Sequence, residues 1–327
     1  MSDTTDIEWT NATVNFWHGC TKVGPGCDHC YAETMDSRFG ESHWGHGVAR
    51  RKIKSAVGLL HRLDNAYADW AADAECANGN ARAFGMPDPQ VPRRRRVFIQ
   101  SMSDLFDLEV PTEWFTEAWR TITICNRIDI QIVTKRVSAI EKRLSEIGAK
   151  TWPVHAGLIV TVVNQAEADR DIPRLLALKT KMGIPWVGIS AEPLLEPIDL
   201  EAVKIEAAPG FFGSPLRWHH RGKCHVDEGV RYPTLDWAII GGESGPRARP
   251  YDLEWGRSII AQCKDAGVPV FHKQVGSHPV DSARLCAPDD RPLRLKPVDR
   301  KGGDPMEWPK ELRVREFPSV AKQVVTA

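Results

Sequence analysis

Cys20, Cys27 and Cys30 fall within eleven residues, in the segment Cys20-Thr-Lys-Val-Gly-Pro-Gly-Cys27-Asp-His-Cys30. The spacing is Cys-x6-Cys-x2-Cys, in a loop made flexible by Gly24 and Gly26 and turned by Pro25. Such a loop can curl three thiolates toward one point. Three thiolates leave one coordination position unfilled, and that fact separates the readings. A structural zinc site would need a fourth ligand, for which His18 or His29 is the local candidate. A [4Fe–4S] cluster held by three cysteines keeps one iron open to bind something else, which is how a cluster becomes catalytic. The plainest alternative is three unconnected thiols.

Five further cysteines, at 76, 125, 224, 263 and 286, complete the eight. A chain of 327 residues does not need a disulfide framework. Cys125 and Cys263 sit in apolar helical patterns, as small buried hydrophobes do. Lysine plus arginine and aspartate plus glutamate number 43 each, so the formal net charge is zero. That balance argues against a protein that works mainly by coating a polyanion. A hydrophobic fraction of 42% excludes a disordered chain. No apolar run reaches the length of a membrane span, and the N-terminus Met1-Ser-Asp-Thr-Thr-Asp6 is polar, so a cytoplasmic protein without membrane contact is expected.

Seven short β-rich runs must position these residues: Thr13–Trp17, Val97–Gln100, Ile130–Val133, Leu158–Val163, Trp186–Ile189, Trp237–Ile240 and Val268–Phe271. Each ends in polar residues. Near-continuous apolar strands are the mark of a parallel sheet buried on both faces. Helical patterns lie between them. One opens at Pro111-Thr112 and carries Phe115, Trp119 and Ile122. Ser138 can cap another with Ile140, Leu144 and Ile147; a third carries Leu175, Leu178 and Met182; Asp252 precedes a fourth with Trp255, Ile259 and Cys263. The alternation predicts an α/β fold, a partial or complete TIM-type (β/α) barrel over residues 1–276. Insertions are expected after the first and fifth strands, at about 40–96 and 197–235, and 277–327 reads as a C-terminal extension packed on the barrel.

Barrel active sites collect at the C-terminal ends of the strands. Lys135, Arg136, Asn164, Glu192, Glu243 and Lys273 all stand there, and Lys135, Glu192, Glu243 and Lys273 are the candidate catalytic residues. Together they could bind an anionic substrate or the polar groups of a cofactor; singly, each could be a strand-terminal charge meeting solvent. Arg93–Arg96, with Arg50, Arg51, Lys52 and Lys54, could cap the barrel bottom or track phosphates. His219, His220, Cys224 and His225 have zinc-ligand types but read more simply as loop residues.

The ordered set of segments resembles a known family. Trp9–Thr13, Gly19–Val23, Pro25–Ala32, Ser101–Phe106, Thr134–Arg136, Ser190–Leu195, Gly241–Pro246 and His272–Gly276 are similar to a phage-associated three-cysteine family of unknown function, itself resembling the radical S-adenosylmethionine superfamily. The resemblance implies a [4Fe–4S] cluster on Cys20, Cys27 and Cys30, with S-adenosylmethionine at the open iron. The superfamily spacing is usually Cys-x3-Cys-x2-Cys, three residues tighter than here, and its Gly-Gly-Glu follows the second strand. In this chain that place holds Ser101-Met-Ser-Asp104, so Ser103 and Asp104, with Asn164, are the candidate cofactor contacts. Reductive cleavage of S-adenosylmethionine to a 5′-deoxyadenosyl radical is the implied reaction, with a flavodoxin- or ferredoxin-type reductant and nucleic acid as a conceivable substrate. The alternatives are a zinc-stabilised nucleic-acid-binding protein and a barrel whose cluster is structural or redox-sensing.

Overall fold

The computed structural model describes residues 4–85, 94–208, 211–217, 233–286 and 291–318. Its main sheet has seven strands: β1 (Ala12–Val14), β2 (Arg96–Ile99), β3 (Asp129–Thr134), β4 (Ala156–Thr161), β5 (Val187–Ala191), β6 (Trp237–Gly241) and β7 (Val270–Gln274). They neighbour one another in chain order and run parallel. That is the strand order of a partial TIM-type barrel, and all seven expected strands are present within a few residues.

The chain divides into two compact units, one of Met1–Thr21, Tyr31–Val133 and Ala139–Gly157, the other of Lys22–Cys30, Thr134–Ser138 and Leu158–Ala327. In the first, Val14, Ile99 and Ile132 lie in register on one sheet face, and Thr13, Phe98 and Gln131 on the other. In the second, Leu158 and Val187 share one face, while Thr161 and Ser190 share its opposite. Both faces are buried. One carries aliphatic side chains; the other mixes polar and small residues, such as Thr13, Gln131, Thr161 and Ser190, with Phe98 and Ile159.

The first strand is shorter than its sequence suggests. Phe16 N donates to the Gln100 side-chain oxygen at 2.6 Å instead of to a neighbouring strand. The ladder therefore stops at Val14, and Trp17–His18 pairs antiparallel with Arg51–Lys52. Gln100, buried at the end of β2, holds a positive φ of 67° to make this switch, a conformation that costs a non-glycine residue free energy.

Among the described residues there are six α-helices: α1 (Tyr31–Arg38), α2 (Ala56–Ala83), α3 (Thr112–Ile124), α4 (Ile140–Glu146), α5 (Gln165–Met182) and α6 (Leu253–Asp265). The buried stripe of α3 joins Phe106 and Trp152 in an aromatic cluster, with Phe115–Trp119 centroids at 5.9 Å and Trp119–Trp152 edge-on at 5.1 Å. Asp252 caps α6 by accepting from Glu254 N, as its position predicts. Ser138 does not cap α4. It lies inside the 3₁₀ turn Val137–Ala139, and Ala139 takes the N-cap position without a side-chain bond. Cys125 and Cys263 are fully buried and burial pushes both thiols up to about 12, as befits packing residues.

Beyond β7, Pro279–Cys286 pairs with Tyr251–Asp252 and with Arg291–Arg294 in a small second sheet. The chain then returns along β7. His272 N donates to Val314 O at 2.8 Å, Glu316 N to Val270 O at 2.8 Å, and Phe271 and Arg315 form an antiparallel bridge. No helix among the described residues is long and apolar enough to cross a membrane.

Candidate metal centre

Cys20, Cys27 and Cys30 are thiols outside any disulfide, and each is half-buried. Cys20 belongs to the first unit, Cys27 and Cys30 to the second.

The backbone at Cys20 is pinned from two sides. Its carbonyl accepts from Gly45 N at 2.9 Å. The next residue, Thr21, accepts at Oγ1 from the Arg50 guanidinium at 2.7 Å and lies 3.1 Å from Glu109 Oε1. Arg50 has no exposed side-chain area. It donates to Asp107 Oδ2 at 2.9 Å and to the carbonyls of His43, Gly45 and Val48. A fully satisfied buried guanidinium of this kind organises the loop that carries the first thiol.

Cys27 closes the 3₁₀ turn Pro25–Cys27, and Cys30 is the last residue before α1. Cys27 N donates to Gly24 O at 2.9 Å, and Asp28 N to Pro25 O at 3.3 Å. Gly26 packs so closely that a Cβ there would lie 2.8 Å from Val163 Cγ1 and 3.4 Å from Lys135 Cε. Between the two cysteines, His29 Nδ1 donates to Glu243 Oε2 at 2.9 Å, while Arg249 reaches Asp28 Oδ2 at 3.1 Å and Glu243 Oε1 at 2.8 Å. Burial alone would raise the Glu243 carboxyl. The bonds from the Arg249 side chain and amide, with that from His29, outweigh it and hold the group below the usual carboxylate range.

The other strand-end residues are placed individually. Lys135 Nζ lies 3.4 Å from Thr161 Oγ1 and lines a small polar pocket with Glu167, Arg170 and the Gly24 and Gly26 backbone. Arg136 N donates to Thr134 Oγ1. Lys273 forms an ion pair with Glu192 from two strands away. Asn164 caps α5, its Oδ1 accepting from Glu167 N at 2.9 Å, while Glu167 accepts from the amide of Val163, the residue before the cap. Ser103 donates to Trp17 O at 3.0 Å, tying its loop to the segment after β1, and the buried Asp104 accepts from Phe106 N at 2.9 Å within its own loop.

The sequence did not mark Arg249 or Asp107, and it marked Arg50 only as a member of the basic run. Arg249 stands six residues after Glu243, a separation that becomes contact only once Gly245 turns the chain back. Of the two histidines suggested as a fourth zinc ligand, His18 accepts at Nδ1 from Arg51 at 3.0 Å. Burial, then Arg51, lowers its pKa. A third set of metal-type donors, Asp36, Glu41 and His43, gathers in the first unit. There His43 donates to both Asp36 oxygens and Arg51 pairs with Glu41, which accounts for the cluster without an ion.

Among the described residues, several of the basic run are engaged in pairs within the protein. Arg50 is buried, Arg51 and Lys52 pair with Glu41 and Glu117, and Arg94 is spent on Asp129 and two carbonyls. Arg93 and the segment with His219, His220, Cys224 and His225 lie outside the described residues.

Residues 4–311 match the family model described as a protein of unknown function, DUF5131. The chain belongs to the DUF5131 family. A comparison with curated protein sequences finds no match for this DUF5131 chain. Among solved structures, a cysteine-to-serine mutant of spore photoproduct lyase aligns over 91% of this chain and 72% of its own length, at 12% identity and a TM-score of 0.37. A likeness at that level carries no argument about this DUF5131 protein.

Proposed function

We propose that this protein is a radical-SAM-like iron–sulfur enzyme, with Cys20, Cys27 and Cys30 as the ligands of a [4Fe–4S] cluster. The observation that carries this reading is the donor set itself: three half-buried thiols outside any disulfide, on pinned backbone after the first strand of a seven-stranded parallel sheet. Three soft sulfur donors suit iron–sulfur ligation and leave one position for a second molecule. When bound together, such a cluster and S-adenosylmethionine supply one-electron reductive cleavage to methionine and a 5′-deoxyadenosyl radical.

The chain's own residues would bind and orient. Lys135 and the Lys273–Glu192 pair, at the ends of β3, β5 and β7, are partly buried charges on one end of the sheet strands. A lysine in such a setting holds an anionic group more firmly than one in open water. The cofactor supplies the hard chemistry, while the fold excludes water and fixes the substrate.

The test is anaerobic purification of the full chain, followed by iron and sulfide analysis and visible absorption. A brown protein with iron and sulfide, lost in Cys30→Ala, is expected, as is release of 5′-deoxyadenosine on addition of dithionite and S-adenosylmethionine. A colourless protein carrying one zinc would overturn the reading. A cluster that never cleaves S-adenosylmethionine would leave a structural or redox-sensing centre instead.

A further inference from the structure

Glu243 stands at the end of β6, where sequence alone reads a carboxylate facing a ligand. Its surroundings give it other work. Only 8% of the residue is exposed. Oε2 takes hydrogen bonds from His29 Nδ1 at 2.9 Å, Arg249 N at 2.8 Å and Arg249 Nε at 3.2 Å, and Oε1 takes one from the Arg249 guanidinium at 2.8 Å. Both oxygens are occupied by the protein.

The main chain that presents this carboxylate cannot shift. A Cβ on Gly242 would lie 2.5 Å from Val275 O and 2.9 Å from Tyr251 Cβ. One on Gly276 would lie 2.5 Å from Glu243 O. Gly242 N and O are both bonded to Gln274, and Ser277 N donates to Glu243 O at 2.9 Å. The two glycines thus let neighbouring strand ends interlock around Glu243.

What the fixed carboxylate grips is the Asp28-His29 dipeptide between two cysteines. Glu243 holds the His29 ring, Arg249 holds the Asp28 carboxylate at 3.1 Å, and Lys22 Nζ donates to Asp28 O at 3.3 Å. A carboxylate only accepts, so the His29 proton lies on Nδ1, and the ring is fixed in one orientation. We propose that Glu243 is a positioning residue for the metal centre: through His29, and through Arg249 onto Asp28, it sets the turn that presents Cys27 and Cys30 to iron. This rests on the iron–sulfur reading above. Groups placed behind metal ligands in this way commonly govern metal retention by about ten- to a hundredfold.

The full chain, its Glu243→Gln, His29→Ala and His29→Asn variants and the Glu243→Gln/His29→Ala double variant are reconstituted anaerobically with ferrous iron and sulfide. Cluster loss to a chelator, the electron paramagnetic resonance spectrum of the reduced protein and the melting temperature of the metal-free form are measured. Glu243→Gln and His29→Ala should each lose iron about tenfold faster and shift the spectrum. The double variant should lose iron faster than His29→Ala alone but by less than the product of the two single effects, because Glu243 acts partly through His29 and partly through Arg249. His29→Asn, whose Nδ2 replaces Nδ1 as donor, should return toward wild type. The spectrum is read on the folded fraction, so lost stability alone does not mimic the effect. Wild-type loss rates and spectra in Glu243→Gln and His29→Ala would overturn the proposal while leaving the cluster in place. A wild-type chain that assembles no cluster would overturn the iron–sulfur reading, and this proposal with it.

Discussion

The Arg50 guanidinium and the Asp107 carboxylate meet at 2.9 Å with no exposed side-chain surface on either. A buried pair of this kind adds little over an apolar replacement of both partners, but removing one leaves a bare charge. Arg50→Met should therefore cost about 3–5 kcal/mol in urea denaturation. Because Arg50 also holds Thr21, the residue after Cys20, the variant should bind less iron even in buffer where it remains folded. Equal stability and full iron content would show that the pair is dispensable.

Two glycines of the cysteine loop make different approaches. The nearest atom to a Cβ on Gly26 belongs to Val163, a stiff β-branched side chain, at 2.8 Å. At Gly24 it is the carboxylate end of Glu167, at 2.6 Å, which can swing aside. Gly26→Ala should consequently lower iron and sulfide content sharply, and Gly24→Ala should retain most of it. Reversal of that order would contradict the packing described.

Asn164, a candidate cofactor contact by sequence, stands as the N-cap of α5. Asn164→Ala should destabilise the protein by about 1 kcal/mol, and Asn164→Asp should restore the loss. Chemical denaturation measures both. If Asn164→Asp stays folded but loses S-adenosylmethionine binding in calorimetry, the residue has a second duty beyond the cap.

His272 is completely buried, with Nδ1 donating to Leu312 O at 2.8 Å and Nε2 accepting from Tyr251 Oη at 3.1 Å. Burial pushes its pKa down to about 4 from the ordinary 6.5. The unfolded chain then binds a proton that the folded one refuses, so this stability is complete above about pH 6.5 and declines as pH falls toward 4. The loss should be on the order of 3 kcal/mol across that window. Urea midpoints between pH 7 and 5 should fall more steeply for wild type than for His272→Asn. Parallel slopes would place the acid sensitivity elsewhere, as in His155, whose burial also lowers its pKa.

The seven strands were legible because fully buried parallel strands leave apolar runs with polar ends, as at Leu158–Val163 and Trp237–Ile240. The helix cap at Asp252 was equally visible as a residue type, whereas Asn164, the cap of α5, was marked only as a strand-end cofactor contact. The end of β1 was not legible, because it depends on Gln100, 84 positions from Phe16, taking an amide that a strand would otherwise use. Glu243 showed as a charge at a strand end, but its saturation by Arg249 and His29 depends on a reversal of the chain and on a contact spanning 214 positions. Sequence spacing locates candidate ligands well. It does not reveal whether a candidate's hydrogen-bonding capacity is already used.

The return of residues 314–316 along β7 has a bearing on handling the protein. β7 closes one side of the sheet order, and without this return its backbone would offer amides and carbonyls beside Phe271 and Trp237 to any passing chain. Uncovered strand margins of that sort template self-association. A version cut just ahead of Gly302 would keep every strand and every cysteine of the loop. It should nevertheless elute from size exclusion as aggregates, which makes the last segment a built-in guard against polymerisation as well as a piece of the fold.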